Sequence, residues 1–151
     1  MNTDKTIYRV LCMQVPVFWE AIKYCCVQAD EVPEKSRPLY FSKLLQDLLS
    51  DKAQCFLVMD GEKILRSIAI TRIIGNNVTG EKELEIQCLY SMDKISNSEI
   101  RKYWSFVWDF AVKESCEEVV FSSRNPRIWE LAREVNFTEK IRRYSYRVGG
   151  N

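Results

Sequence analysis

The chain contains no histidine. That single absence removes Ser-His and Cys-His nucleophile pairs, and every metal site that needs an imidazole. Cysteine occurs six times, at Cys12, Cys25, Cys26, Cys55, Cys88 and Cys116, but never with C-x-x-C spacing. The ligand pattern of an all-cysteine zinc site is therefore missing too, and no metal is expected. Most of these cysteines lie in apolar runs, as small buried hydrophobes do. Free thiols suit the cytosol. No apolar stretch approaches the roughly 18 residues of a membrane span, and Met1-Asn-Thr-Asp-Lys-Thr lacks the apolar centre of a secretion signal. A cytoplasmic location without membrane attachment is the expectation. An excess of one charge is also lacking, since 22 Lys and Arg meet 21 Asp and Glu. The electrostatic footprint of a nucleic-acid or anionic-membrane binder is not there.

What is present is a globular composition. Of 151 residues, 46% are apolar and 28% charged, enough for one domain, 1–151, that buries about 70% of its unfolded surface. The patterning opens with a strand at Thr6–Leu11. Phe18, Ala21, Ile22, Cys25 and Ala29 then fall on one helical face. Pro33 and Pro38 mark a short join to a second helix, striped by Phe41, Leu44, Leu45, Leu48 and Leu49. Gln54–Met59 and Ile64–Ile74 read as strands around Asp60-Gly61, a dipeptide that tight hairpins favour because both positions tolerate φ > 0. Glu83–Tyr90 alternates: Leu84, Ile86, Cys88 and Tyr90 are expected on one face, and Glu83, Glu85 and Gln87 on the other. These strands form an antiparallel meander.

Ser96-Asn97-Ser98-Glu99 has the capping-box pattern of a helix start, and Ile100, Tyr103, Trp104, Val107, Trp108 and Ala111 form a broad apolar face after it. Val119–Phe121 is a short buried strand. Asn125-Pro126 is an N-cap followed by proline at the first helical position. Ile128, Leu131, Ala132 and Val135 line the inner face, and Asn136 stands where a left-handed C′ residue is expected. Ile141–Val148 completes the order as a last strand. Glu117–Val148 thus reads strand, helix, strand.

This order resembles the GNAT acyltransferase fold across nearly the whole chain. The likeness in sequence is concentrated at Asp60–Leu65 and at Asn125–Phe137. In the latter segment GNAT proteins carry an asparagine, then a tyrosine, then Gly-Phe; Asn125 and Phe137 match in spacing, whereas Ala132 replaces the tyrosine and Asn136 the glycine. The resemblance implies an α/β (α+β) fold, with a mixed, mostly antiparallel sheet of about six strands and about four flanking helices. It also implies an acetyl-CoA site, in which a glycine-rich loop offers backbone N–H groups to the pyrophosphate at a helix N-terminus. The matching stretch, Met92–Ser98, contains no glycine and brings Asp93 and Glu99 to that place, with Lys94 as an offsetting cation. Ala132 cannot donate a proton to a leaving thiolate as the family's tyrosine does, and Tyr90, Tyr103, Tyr144 and Tyr146 do not stand at its position.

Two functions follow. Loss of both parts of the mechanism leads one to expect a GNAT-like domain without cofactor or catalytic residues. It would be a structural or interaction protein whose partners are other protein chains, of the kind found among small phage-encoded proteins and virion assemblies, with Trp19, Trp129 and Tyr40 as candidate anchors. The alternative is an acetyl-CoA-dependent N-acyltransferase with a divergent loop. In it Ser96, Asn97, Ser98 and Asn125 would hold the cofactor, and Glu85, or Glu83, would be general base for an amine. A third pattern, Arg142, Arg143 and Arg147 with Tyr144 and Tyr146 on the last strand, is split between two faces and reads as a charged edge rather than a nucleic-acid surface.

Overall fold

The computed structural model describes residues 4–149. A five-stranded sheet runs in the order β1 (Lys5–Val10), β2 (Ala53–Asp60), β3 (Leu65–Gly75), β4 (Lys82–Ser91) and β5 (Glu118–Phe121). The first three pairings are antiparallel and the last is parallel. Helices α1 (Val15–Asp30) and α2 (Arg37–Leu49) cover one face, and α3 (Asn97–Lys113) and α4 (Pro126–Glu134) the other. No helix among the described residues is long and apolar enough to cross a membrane.

β2, buried at Ala53 through Val58 because helices cover both faces, and the apolar stripes of the helices build a core on each face. Ile22, Cys25 and Cys26 of α1 and Leu44 and Leu48 of α2 pack on Cys55, Leu57, Ile68, Ile70 and Cys88. The opposite face joins Val58 to Tyr103 and Leu131, and Leu84 to Val107 and Ala111. All six cysteines are free. Burial, and next Cys26, pushes the Cys25 thiol up to about 11, so it is an inert packing group at neutral pH.

Local signals were obeyed with one revision at the β2–β3 turn. Asp60 does the work there, its Oδ1 accepting from the amides of Glu62 (2.8 Å) and Ile64 (3.0 Å). The left-handed residue is Lys63, at φ 62°, rather than Gly61. Asn136 does take the left-handed conformation, at φ 69°. Ser96 caps α3 by accepting from Glu99 N at 3.2 Å, and Asn125 caps α4 by accepting from Arg127 N at 2.9 Å.

Two expectations fail. Ile141–Val148 is not a strand, and the sheet has five strands instead of about six. β-propensity alone makes no strand without an edge within reach. The even alternation of β4 is also broken. Ile70 pairs with Cys88 but its neighbour Thr71 pairs with Ile86, so Gln87 is an extra residue, a β-bulge. Leu84 therefore faces α3, while Cys88 faces α1 and α2. An extra residue shifts the period by one and inverts every side chain beyond it.

Candidate functional site

The bulge coincides with the end of the β4–β5 pairing. β5 accompanies β4 only from Glu83↔Glu118 to Ile86↔Phe121, while β4 continues to Ser91. Beyond Ile86, β4 continues without β5, which ends at Phe121. A cavity of about 230 Å³ lies between this unpaired end of β4, the β4–α3 loop and α4, lined by Leu89, Tyr90, Ser91, Asp93, Lys94, Ile95, Asn125, Arg127, Ile128 and Leu131. A larger one, about 570 Å³, lies at the far edge between β1, β2 and the start of α1, away from these groups.

The α4 wall is set by its first turn. Asn125 N donates to Ser123 Oγ at 3.1 Å, and Trp129 Nε1 donates to Ser123 O at 2.7 Å, which holds the loop against the helix. Arg127 reaches across to donate from Nη2 to Ile95 O at 2.7 Å, and from Nη1 to Glu130 at 3.1 Å. Its Nε is buried and has no hydrogen-bond partner among the described residues. A buried guanidinium N–H left without an acceptor is costly.

The start of α3, next to the cavity, is more fully self-satisfied. Glu99 Oε1 accepts from Ser96 Oγ at 3.0 Å, and the Ser96 and Ser98 hydroxyls lie 3.1 Å apart. Glu99 Oε2 accepts from Lys5 Nζ at 2.9 Å and from the Tyr103 hydroxyl at 3.1 Å. Burial pushes the Glu99 carboxyl up, but the hydrogen bonds from Lys5, Ser96 and Tyr103 together outweigh it and hold it below the ordinary range. Asp93 is neutralised in its turn by Lys5 at 3.7 Å and Arg66 at 3.6 Å.

Of the residues expected to hold a cofactor, Asn125 lines the cavity, whereas Ser96, Asn97 and Ser98 lie exposed at the start of α3 beside it. Glu85 is half-buried next to the end of the β4–β5 pairing, paired with Arg72 of β3 and Val120 of β5. Glu83 accepts from Asn76 Nδ2 at 2.6 Å. Ala132 occupies α4 where the family's phenol would stand, its carbonyl accepting from Phe137 N at 2.9 Å. Tyr90 is the phenol that lines the cavity, its ring edge-on to Tyr24 of α1 at 6.2 Å. Arg127 and Ser91 were not legible as site residues. Position two of a helix is a weak signal for Arg127, and only the bulge turns Ser91 toward α4.

The candidate anchors differ in placement. Trp19 packs on the α1–α2 core, edge-on to Phe41 at 6.2 Å. Tyr40 donates to Asp30 Oδ2 at 2.6 Å. Trp129 is 45% exposed.

No protein-family model matches the chain, and no curated protein is significantly similar to it in sequence. Its shape, however, is similar to those of solved acetyltransferases. A predicted acetyltransferase from Clostridium acetobutylicum, solved with acetyl-CoA, aligns with a TM-score of 0.73 over 96% of this chain and 97% of its own, at 8% identity. An aminoglycoside N-acetyltransferase in complex with CoA gives 0.71 over 97% and 96%, at 14% identity. A ribosomal-protein-alanine N-acetyltransferase from Brucella melitensis biovar Abortus 2308 gives 0.69 over 95% and 99%, at 18% identity. The order of elements and these alignments agree: the chain has the GNAT acetyltransferase fold.

Proposed function

We propose that the chain is an acyl-CoA-dependent N-acyltransferase with a divergent phosphate-binding loop. The observation that carries this reading is the unpaired end of β4, beyond the last β5 pairing at Ile86 and the Gln87 bulge, beside a cavity with cationic donors. The donor set fits an anionic cofactor: the unpartnered Arg127 Nε, the Lys94 ammonium and the Asn125 amide suit phosphate oxygens. Asp93 does not oppose them strongly, because Lys5 and Arg66 already hold its charge. Ser96, Asn97 and Ser98 add the first turn of α3, whose dipole contributes on the order of 1 kcal/mol. Past Ile86, the β4 backbone on the side away from β3 has no β5 partner, so it offers N–H and C=O groups to an extended amide-bearing arm as to an added strand.

A bound acyl-CoA supplies an acyl group activated as a thioester. The remaining work belongs to the chain. Glu85 shares its face with Arg72, its partner in the ladder, and accepts the proton of an amine arriving from the α1–α2 side. Tyr90, whose ring lies edge-on to Tyr24 on the α1 side, is the proton donor of this reading. The Tyr24 hydroxyl, and after it burial, raises the Tyr90 phenol's pKa, so it is protonated at neutral pH.

A second reading has one observation of its own. Glu99 caps α3 from within, and Ala132 supplies no proton, which favours an interaction protein with no cofactor and with protein chains as partners. Calorimetric titration of acetyl-CoA into the full chain decides between them. Saturable binding that Arg127→Ala removes, together with thiol release when a primary amine is added, is the expected result. No heat at millimolar acetyl-CoA would leave the second reading standing.

A further inference from the structure

The larger cavity, about 570 Å³, has a lining of a different kind from the one beside α4. Tyr8 comes from β1, Gln14 and Phe18 from the start of α1, and Met59, Asp60 and Lys63 from the end of β2 and the turn after it. Tyr8 and Phe18 pack on the α1–α2 side of the sheet, whereas Ile128 and Leu131 of the smaller cavity pack on the α3–α4 side. The two cavities share no lining residue.

Two aromatic rings and a thioether supply the apolar wall. Small-molecule sites span roughly 300–1,000 Å³ and combine such walls with a few placed polar groups. The polar groups here favour one sign of ligand. The Asp60 side chain is 8% exposed, and both its oxygens are taken. Oδ1 accepts from the amides of Glu62 and Ile64, and Oδ2 accepts from Arg66 Nε at 3.0 Å. Its charge is therefore held inside the turn. Gln14 Oε1 accepts from Leu11 N at 2.9 Å, which leaves the N–H groups of that amide as the end to be offered. Lys63 takes part in no ion pair among the described residues. It also stands in the left-handed conformation, at φ 62°, while Gly61 two residues earlier does not. Glycine would adopt that backbone without strain, so the turn carries a lysine where a residue without a side chain is the easier choice.

We infer that this cavity binds a small aromatic carboxylate, its ring against Tyr8, Phe18 and Met59 and its carboxylate on the Lys63 ammonium and the Gln14 amide. A flat ring meets aromatic edges and faces and the thioether sulfur favourably. One uncompensated ammonium matches one negative charge. An amine would find Lys63 in its way and the Asp60 carboxylate already engaged.

Calorimetric titration of naphthylacetate into the full chain tests this, and saturable binding is expected. Naphthylacetamide, with the same ring and no charge, should bind about tenfold more weakly, the equivalent of one charge-assisted hydrogen bond. Lys63→Gly relieves the left-handed backbone, so its melting temperature should not fall. It should nevertheless weaken naphthylacetate about tenfold and leave naphthylacetamide unchanged, and Lys63→Arg should keep the acid bound. In a chain with methyl-labelled methionine, the Met59 resonance should move with the ring current of the ligand. Arg127→Ala should change none of this, so the result stands apart from the acetyl-CoA titration. No saturable heat at millimolar naphthylacetate, equal affinity for acid and amide, equal affinity for octanoate, or undiminished binding in Lys63→Gly would overturn the inference.

Discussion

Gln87, the residue β4 carries in excess, accepts a hydrogen bond from Nε of Arg72 on β3. The same guanidinium donates from Nη1 to Asp47 on α2, so the bulge just beyond the end of the β4–β5 pairing is tied through one side chain to α2. Replacing Gln87 and deleting it should therefore differ. Gln87→Ala keeps the extra residue and loses one charge-assisted hydrogen bond, about 1.5–3 kcal/mol. Deletion forces either Leu84 and Ile86 or Cys88 and Tyr90 onto the wrong face, and should cost more than about 4 kcal/mol. Urea unfolding of the two variants reads the difference, which is the free energy of the inverted register.

Asp47 is 2% exposed and paired with Arg72 and Lys43. Burial by itself pushes its carboxyl up, but the hydrogen bonds and charges of Arg72 and Lys43 prevail and hold it below the ordinary range. A carboxyl whose folded-state pKa is depressed contributes fully above its unfolded value of about 3.9, and loses that contribution as pH falls through the folded value. Asp47→Asn should accordingly cost about 3 kcal/mol near neutrality. The gap to wild type should shrink steadily below about pH 4. Urea midpoints measured at several pH values check both the size and the sign.

Arg127 carries the cavity's unpartnered donor and bridges to Ile95 O. Arg127→Ala should weaken acetyl-CoA binding about tenfold to a hundredfold, the equivalent of one or two charge-assisted hydrogen bonds. Arg127→Lys should recover only part of this, because an ammonium cannot reproduce the planar fork. Titration calorimetry of the three chains gives the ratios directly, and thermal melts without ligand separate binding from folding.

Glu85 and Tyr90 are proposed to move protons on opposite limbs of a pH profile. Glu85→Gln should lower acetyl transfer to an amine about a hundredfold and remove the acidic limb of kcat/KM. Tyr90→Phe should lower it comparably and remove the alkaline limb. A steady-state pH series on both variants distinguishes these roles from structural ones, which would shift the profile's height without deleting a limb.

Much of the fold was legible because it rests on local chemistry. The Ser96–Glu99 box, the Asn125-Pro126 cap and left-handed Asn136 each depend on a few neighbouring groups, and the helical stripes found the faces that the sheet covers. The candidate site was half legible. Asn125 was proposed from its spacing to a family pattern and Glu85 from the polar face of an alternating strand, while Arg127 and Ser91, which line the cavity with Asn125, have no local signature.

The order of elements through α4, their caps and the two apolar layers follow from propensity and periodicity, which act within a few residues. Where β4 inverts its faces is a matter of pairing, since Gln87 is extra only in relation to β3. Tertiary contacts also settle that Ile141–Val148 forms no strand. Pairing needs an edge at the right distance, and no backbone hydrogen bond among the described residues joins this segment to β5.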